Sequence, residues 1–274
     1  MSYERSIMKG ERRVQAGFLR AVLFDITQMH PPFQLFGVAH WVVIGLTVGL
    51  PVLFWATARG GGGGRAGYRR AVRFGLAGLL AANWVAYEAE RYYAGQFTAA
   101  GALPMQLCDW AMFALIAALW GRRRGAYEVA YFWGMAGTLQ AILTPNLQFG
   151  FPDIHFISFF VAHSGIVVGI LYLTLVEGLR PWPMSIARAM IWSEVYFAAA
   201  SMVNWWTGAN YGFLSHHPEG KSLLDWLSHN HGLYLVEMNL LALGFYLVLY
   251  APFWIRDVIE RMEGEAPPHR PHRS

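Results

Sequence analysis

The residues able to do chemistry in this chain are few, and they sit inside or beside long apolar stretches. The segment Leu103-Pro104-Met105-Gln106-Leu107-Cys108-Asp109-Trp110 holds the only cysteine. A thiol becomes a nucleophile when a nearby base or positive charge makes it a thiolate. Polar and ionisable groups at membrane depth are costly and read by default as functional. His163, within Phe159-Phe160-Val161-Ala162-His163-Ser164-Gly165, is the one histidine clearly buried at a similar depth. It is the candidate base for Cys108. Gln106 or Asn204 would donate to a developing oxyanion, and Glu88 or Asp109 would orient His163 by the logic of a triad.

Each of these residues also has a plainer role. A cysteine in a span packs as a small hydrophobe, and His163, Gln140 and Asn204 can tie helices together by hydrogen bonds. Glu88 can snorkel to the interface or pair with Arg91. His40 is either a second pocket histidine or an interface residue. A zinc site from His40, His155 and His163 with Glu88 or Asp109 is a competing assembly, as is haem between His40 and His163. No His-x-x-x-His pair lies in any span, however, and His155 and His163 are two turns apart. A Cys–His site therefore ranks above both, and no metal or other cofactor is expected. The single cysteine excludes an internal disulfide and a cysteine-cluster metal site.

The elements that must position these groups are membrane helices. Of 274 residues, 55% are hydrophobic and 14% charged, where an average soluble domain carries roughly 25% charged residues. The apolar residues come in blocks of about 20, the length that spans a bilayer. The spacing predicts an all-α fold, a polytopic bundle of seven transmembrane helices at about 35–57, 72–93, 103–120, 126–144, 155–178, 185–207 and 232–254. Ahead of them, residues 1–34 mix arginines with apolar positions at helical spacing, and 14–29 reads as an amphipathic helix lying on the membrane surface. Residues 255–274 form a polar tail. No cleavable signal is evident.

Loop charges set the expected orientation. The loops after spans one, three and five and the C-terminal tail hold nearly all the nearby arginines. The positive-inside rule then puts the C-terminus in the cytoplasm and the N-terminus outside a multi-pass protein of the cell membrane. The net charge of +4 thus speaks of orientation and not of a nucleic-acid partner. With a rise of 1.5 Å per residue, Cys108 lies roughly 8 Å and His163 roughly 12 Å below the outer boundary. His40, Glu88, Gln106, Gln140, Asn204 and Glu237 fall in the same outer half, which predicts a polar pocket walled by several helices. Glu128 and Glu177 sit at inner ends, where the expectation is that they reach water.

Several motifs are familiar. Leu103-Pro104-x-Gln106-Leu107-Cys108-Asp109, Tyr131-Phe132-Trp133-Gly134-x-x-Gly137-Thr138-Leu139-Gln140-Ala141-x-x-Thr144-Pro145, Phe159-Phe160-x-Ala162-His163-x-Gly165 and Asn204-x-x-x-Gly208-x-Asn210-Tyr211-x-Phe213-Leu214 resemble the YwaF-type integral membrane family over roughly residues 35–254. Ser222-Leu223-Leu224-Asp225 is similar to that family's last outer loop. The eukaryotic branch is described as a phospholipid acyltransferase with its nucleophile in the Gln-Leu-Cys motif and a histidine in a later span. The resemblance implies Cys108 as nucleophile and His163 as general base, with Asn210 and Tyr211 as motif residues of the site. His216-His217 and His229-Asn230-His231 depart from the family pattern, which bears on head-group preference more than on chemistry.

The expected activity is therefore lipid acyl transfer or hydrolysis through a thioester, with membrane phospholipid or lysophospholipid as partner. The alternative is a non-enzymatic transporter or small-molecule binder using the same pocket.

Overall fold

The structure, a computed structural model, describes residues 31–59, 65–219 and 222–263. The amphipathic helix expected at 14–29 lies outside the described residues. Among those described, the secondary structure is helical with no strand; Pro32 and Phe149 form a single isolated bridge.

Helix α1 is Val38–Arg59, α2 Arg65–Tyr93 and α3 Leu107–Gly121. A continuous rod then runs through α4 (Arg124–Trp133), one wide π-helical segment (Gly134–Thr138) and α5 (Leu139–Leu143). Helices α6 (Ile154–Leu175), α7 (Pro183–Thr207) and α8 (His231–Met262) complete the chain. Two short 3-10 turns, Tyr211–Phe213 and Leu223–Trp226, lie between α7 and α8. Successive rods alternate in direction, so the bundle has an arginine-rich end and an opposite end. Three of the described helices, α1, α6 and α8, are long and apolar enough to cross a membrane, and α3 is a shorter apolar helix. Large apolar side chains such as Trp41, Val48, Leu240 and Val248 face outward, as a lipid-embedded surface requires. This is an all-helical membrane protein.

Helix α6 is the hub: α1, α2, α3 and the α4–α5 rod all pack on it. Its glycines make that possible. A Cβ at Gly169 would stand 2.9 Å from the Leu115 side chain of α3, so a larger residue there would force the buried Leu115 side chain to move. Helix α7 packs on α4, and α8 leans on α7 with most of its surface exposed.

The ends of the spans differ from expectation where local chemistry intervenes. Helix α3 begins at Leu107 and not at 103, so Pro104 precedes the helix. The N-cap is Gln106, whose N–H donates to Asp109 Oδ2 at 3.0 Å, one half of a capping box. Helix α8 continues to Met262, past the expected end of its span, with Arg256 paired to Glu260 one turn on.

The arginine-rich end is locked by ion pairs. Glu128 and Glu177 do not reach water, contrary to expectation: their side chains are 1% and 4% exposed. Glu128 takes a bidentate pair from Arg188 at 2.8 Å on each arm, with Arg124 at 3.4 Å. Glu177 meets Arg122 at 3.1 Å and Arg73 at 3.8 Å, and Arg180 meets Asp257 at 2.6 Å. Arginines at the helix ends and in the adjoining loops, Arg122 and Arg180 among them, pair with these carboxylates.

Candidate functional site

At the opposite end lies a cavity of about 810 Å3, within the roughly 300–1,000 Å3 typical of small-molecule sites. Its walls come from the C-terminal part of α2, the strap between α2 and α3, the start of α3, the loop at 146–149 and the first half of α6. Cys108, His163, Glu88, Gln106 and Asp109 all line it.

Cys108 is the second residue of α3. The first helical N–H groups have no partner inside a helix, and here Asp109 N and Trp110 N turn back to the Gln106 carbonyl while Leu107 N and Cys108 N have no such bond. Cys108 therefore presents its sulfur to the cavity at the positive end of a helix dipole, beside the backbone N–H groups of the first turn.

His163 is fixed by its own helix. Its Nδ1 lies 2.7 Å from the Phe159 carbonyl, and a carbonyl only accepts, so Nδ1 carries the proton and Nε2 keeps its lone pair. The Phe159 ring stacks on the imidazole at 4.0 Å between centroids. This corrects one expectation. The group that orients His163 is a backbone carbonyl one turn back, not Glu88 or Asp109. Asp109 is turned to the Gln106 N–H, and Glu88 Oε1 stands 3.5 Å from Arg91 Nη1.

Arg91 also lines the cavity, as do Asn83, Tyr87 and His155. Asn83 donates to the Ser158 carbonyl at 3.1 Å, joining α2 to α6. His155 is 45% exposed at the cavity rim between Asp153 (3.2 Å) and Glu90 (3.7 Å). Its signal in the sequence is its place at the start of α6, two turns before His163 on the same helix.

The other expected pocket residues build the frame. His40 is buried, accepts the Phe36 N–H at Nδ1 (3.0 Å) and donates from Nε2 to the Ile142 carbonyl (2.7 Å). Both ring nitrogens are spent on joining α1 to α5, so His40 is an interface residue. Asn204 clasps the Tyr211 backbone, Nδ2 to the carbonyl at 3.0 Å and Oδ1 from the N–H at 2.8 Å. That amide is committed and is not available to an oxyanion. Asn210 folds the following turn by accepting from Ser215 N and His216 N. Glu237 accepts the Ser228 N–H at 2.6 Å. Gln140 lies in α5 away from the cavity, its carbonyl taking the Thr144 N–H.

Tyr211 ties down the strap that leads into Cys108. Its hydroxyl accepts the Leu103 N–H at 3.0 Å and donates to the Ala99 carbonyl at 3.1 Å. Burial pushes this phenol above its ordinary range, against a smaller opposing pull from the Leu103 N–H, so it remains a donor at neutral pH. Next to it, the Gly212 N–H reaches Gln106 Oε1 at 3.3 Å, and Tyr196 donates to the Met105 carbonyl at 3.0 Å. Gly212 has φ +63°, and a Cβ there would collide with the Tyr196 hydroxyl. The Asn204-to-Gly212 motif is thus a bracket that holds residues 99–106 across the cavity and leads the chain into Cys108.

Among the described residues no group of three or more His, Cys, Asp or Glu side chains is placed to hold a metal ion. A family model described as the TMEM164 family matches residues 35–250. No curated protein matches the chain, and no solved structure does.

Proposed function

The chain belongs to the TMEM164 family, and on that premise we propose that its cavity performs lipid acyl transfer, with Cys108 as nucleophile and His163 as base. The observation that carries this reading is that the two residues share one cavity while His163 Nε2 has no hydrogen-bond partner among the described residues. Within the family we place the chain with the YwaF-type members on the motifs quoted above. The seven rods are read as seven crossings of the cell membrane with the C-terminus cytoplasmic, which sets the cavity in the outer half and opens it to outer-leaflet lipid.

His163 Nε2 takes the thiol proton as the sulfur bonds to the carbonyl carbon of an acyl ester. The oxyanion so formed is met by the N–H groups at the start of α3 and by the Gln106 amide. The ester C–O bond breaks, the leaving lysolipid oxygen takes the proton back from His163, and a thioester remains. A second lysolipid, or water, then gives its proton to His163 and attacks the thioester, and the departing thiolate recovers that proton. An acyl chain suits an apolar bundle because it already lies in the membrane.

The test uses purified protein in detergent and a thiol probe, with wild type compared against His163→Ala across pH. As Cys108 is the only cysteine, all signal belongs to it. Fast labelling near neutral pH that collapses in the variant is expected. So is a hydroxylamine-sensitive acyl adduct, formed from phospholipid on wild type and absent from Cys108→Ser. A thiol that reacts alike in both proteins, together with no adduct, overturns the enzyme reading in favour of a binding or transport cavity.

A further inference from the structure

Glu194 has no role in the chemistry proposed above and no ion pair or hydrogen bond among the described residues. It lies eleven residues after the start of α7 and thirteen before its end, about 17 Å and about 20 Å along the axis from the two ends. It is exposed, and its neighbours on the surface are apolar: Ile191, Trp192 and Val195 are exposed as well. The nearest basic residue on α7, Arg188, is held by Glu128. A carboxyl group at mid-depth on the outer face of a membrane helix has no water to solvate it and is costly unless paired.

The same face carries a packing pattern. Ala187, Ile191, Glu194, Ala198, Ser201 and Trp205 follow one another at alternating spacings of four and three. That is the seam spacing of a left-handed helix pair. All are exposed except Ser201, which is half-buried. The small seam residues Ala187, Ala198 and Ser201 allow close approach of a second helix, and a single polar residue in such a seam fixes register and partner choice. The α7 face is thus shaped for one more helix and charged for a cation.

We propose that this face docks a transmembrane helix of a partner protein that carries a lysine or arginine near its centre, paired with Glu194. A second copy of this chain is disfavoured, because none of its described membrane helices presents an outward basic residue at that depth and two copies would set carboxylate against carboxylate. The inference rests on α7 crossing the membrane, as in the seven-crossing reading. It is independent of the acyl-transfer chemistry.

The experiment uses the full chain in lipid bicelles and two synthetic leucine-based transmembrane peptides, one with a central arginine and one with leucine in its place. Association is read by energy transfer. The arginine peptide is expected to bind wild type at least tenfold more tightly than the leucine peptide, and Glu194→Leu is expected to erase that difference. Unchanged Cys108 labelling shows that the variant is folded. Equal binding of both peptides overturns the proposal, and so does arginine-peptide binding that survives Glu194→Leu. Self-association of wild type that is lost in Glu194→Leu, without preference for arginine, overturns it in favour of a second copy. Binding that appears only after residues 1–30 are removed overturns it in favour of this chain's own N-terminal segment. Fast labelling by a water-soluble maleimide in Cys108→Ser/Glu194→Cys would place position 194 in water, and would sink the seven-crossing reading with it.

Discussion

Replacing Tyr211 by phenylalanine removes one oxygen and leaves the ring. The lost hydroxyl makes two hydrogen bonds, from Leu103 N at 3.0 Å and to Ala99 O at 3.1 Å, and both lie in the strap that walls the cavity. A neutral hydrogen bond contributes about 0.5–1.5 kcal/mol net, so the strap loses about 1–3 kcal/mol of closure. At 1.4 kcal/mol per factor of ten, its open fraction rises roughly 5- to 150-fold. Cys108 follows directly on this strap, which makes the thiol the natural reporter. Its labelling by a bulky hydrophilic maleimide, slow enough to track the opening equilibrium, should accelerate by that factor in Tyr211→Phe. A small membrane-permeant probe should gain much less. The loss is local, so helix content and the heat stability of the bundle should move little. Equal maleimide rates in the two folded proteins would refute the reasoning, since the strap would then not be what separates Cys108 from water.

Two further substitutions probe the frame at its two ends. Glu128→Leu leaves Arg188 and Arg124 without their shared carboxylate; Arg188 is 49% exposed and can turn to water. The cost should therefore fall between that of surface and buried pairs, about 2 kcal/mol, read as a drop of about 4–8 °C in apparent melting temperature. Gly212→Ala adds a Cβ at positive φ, about 1–2 kcal/mol, and drives the Tyr196 hydroxyl off the Met105 carbonyl. Gly95→Ala, also at positive φ but facing open space, supplies the control and should cost only the conformational part. Equal destabilisation of the two glycine variants would show that the Tyr196 contact contributes nothing.

Depth was legible in the sequence and helix rotation was not. Apolar blocks and loop arginines place each rod and its direction, and depth counted from the boundaries brings Cys108, His163, Glu88, Gln106 and Asp109 to one level, where the structure finds them around one cavity. His40 and Glu237 share that level yet point elsewhere, because each residue turns a helix by about 100° and these blocks are apolar all round. Periodicity therefore gives no face. The start of α3 was misjudged because Pro104 reads equally as a first helical residue or as part of an extended lead-in. What decides between them is Tyr211, more than a hundred residues away, which holds the Leu103 N–H. Asn204 and Asn210 look like site residues by type, yet their amides are consumed in folding the bracket.

The distribution of charge explains why opening should occur at one end only. At the arginine-rich end three carboxylates stand within 3.4 Å of a guanidinium: Glu128 with Arg188, Glu177 with Arg122, Asp257 with Arg180. These pairs link α4 to α7, the end of α3 to the end of α6, and the following loop to α8, so these elements cannot shift apart without exposing an uncompensated charge. Around the cavity the pairing is looser. Arg91 meets Glu88 only at 3.5 Å, and Glu88 Oε2 is buried without a hydrogen-bond partner. The cavity end is held mainly by the neutral hydrogen bonds of Tyr211, Tyr196 and Gln106. These can be broken and remade one at a time. On the acyl-transfer reading proposed above, a bundle braced by ion pairs at one end and by neutral hydrogen bonds at the other would admit a lipid ester to Cys108 while its helices stay in register, so the strap, more than any helix, should set the rate at which the thiol is reached.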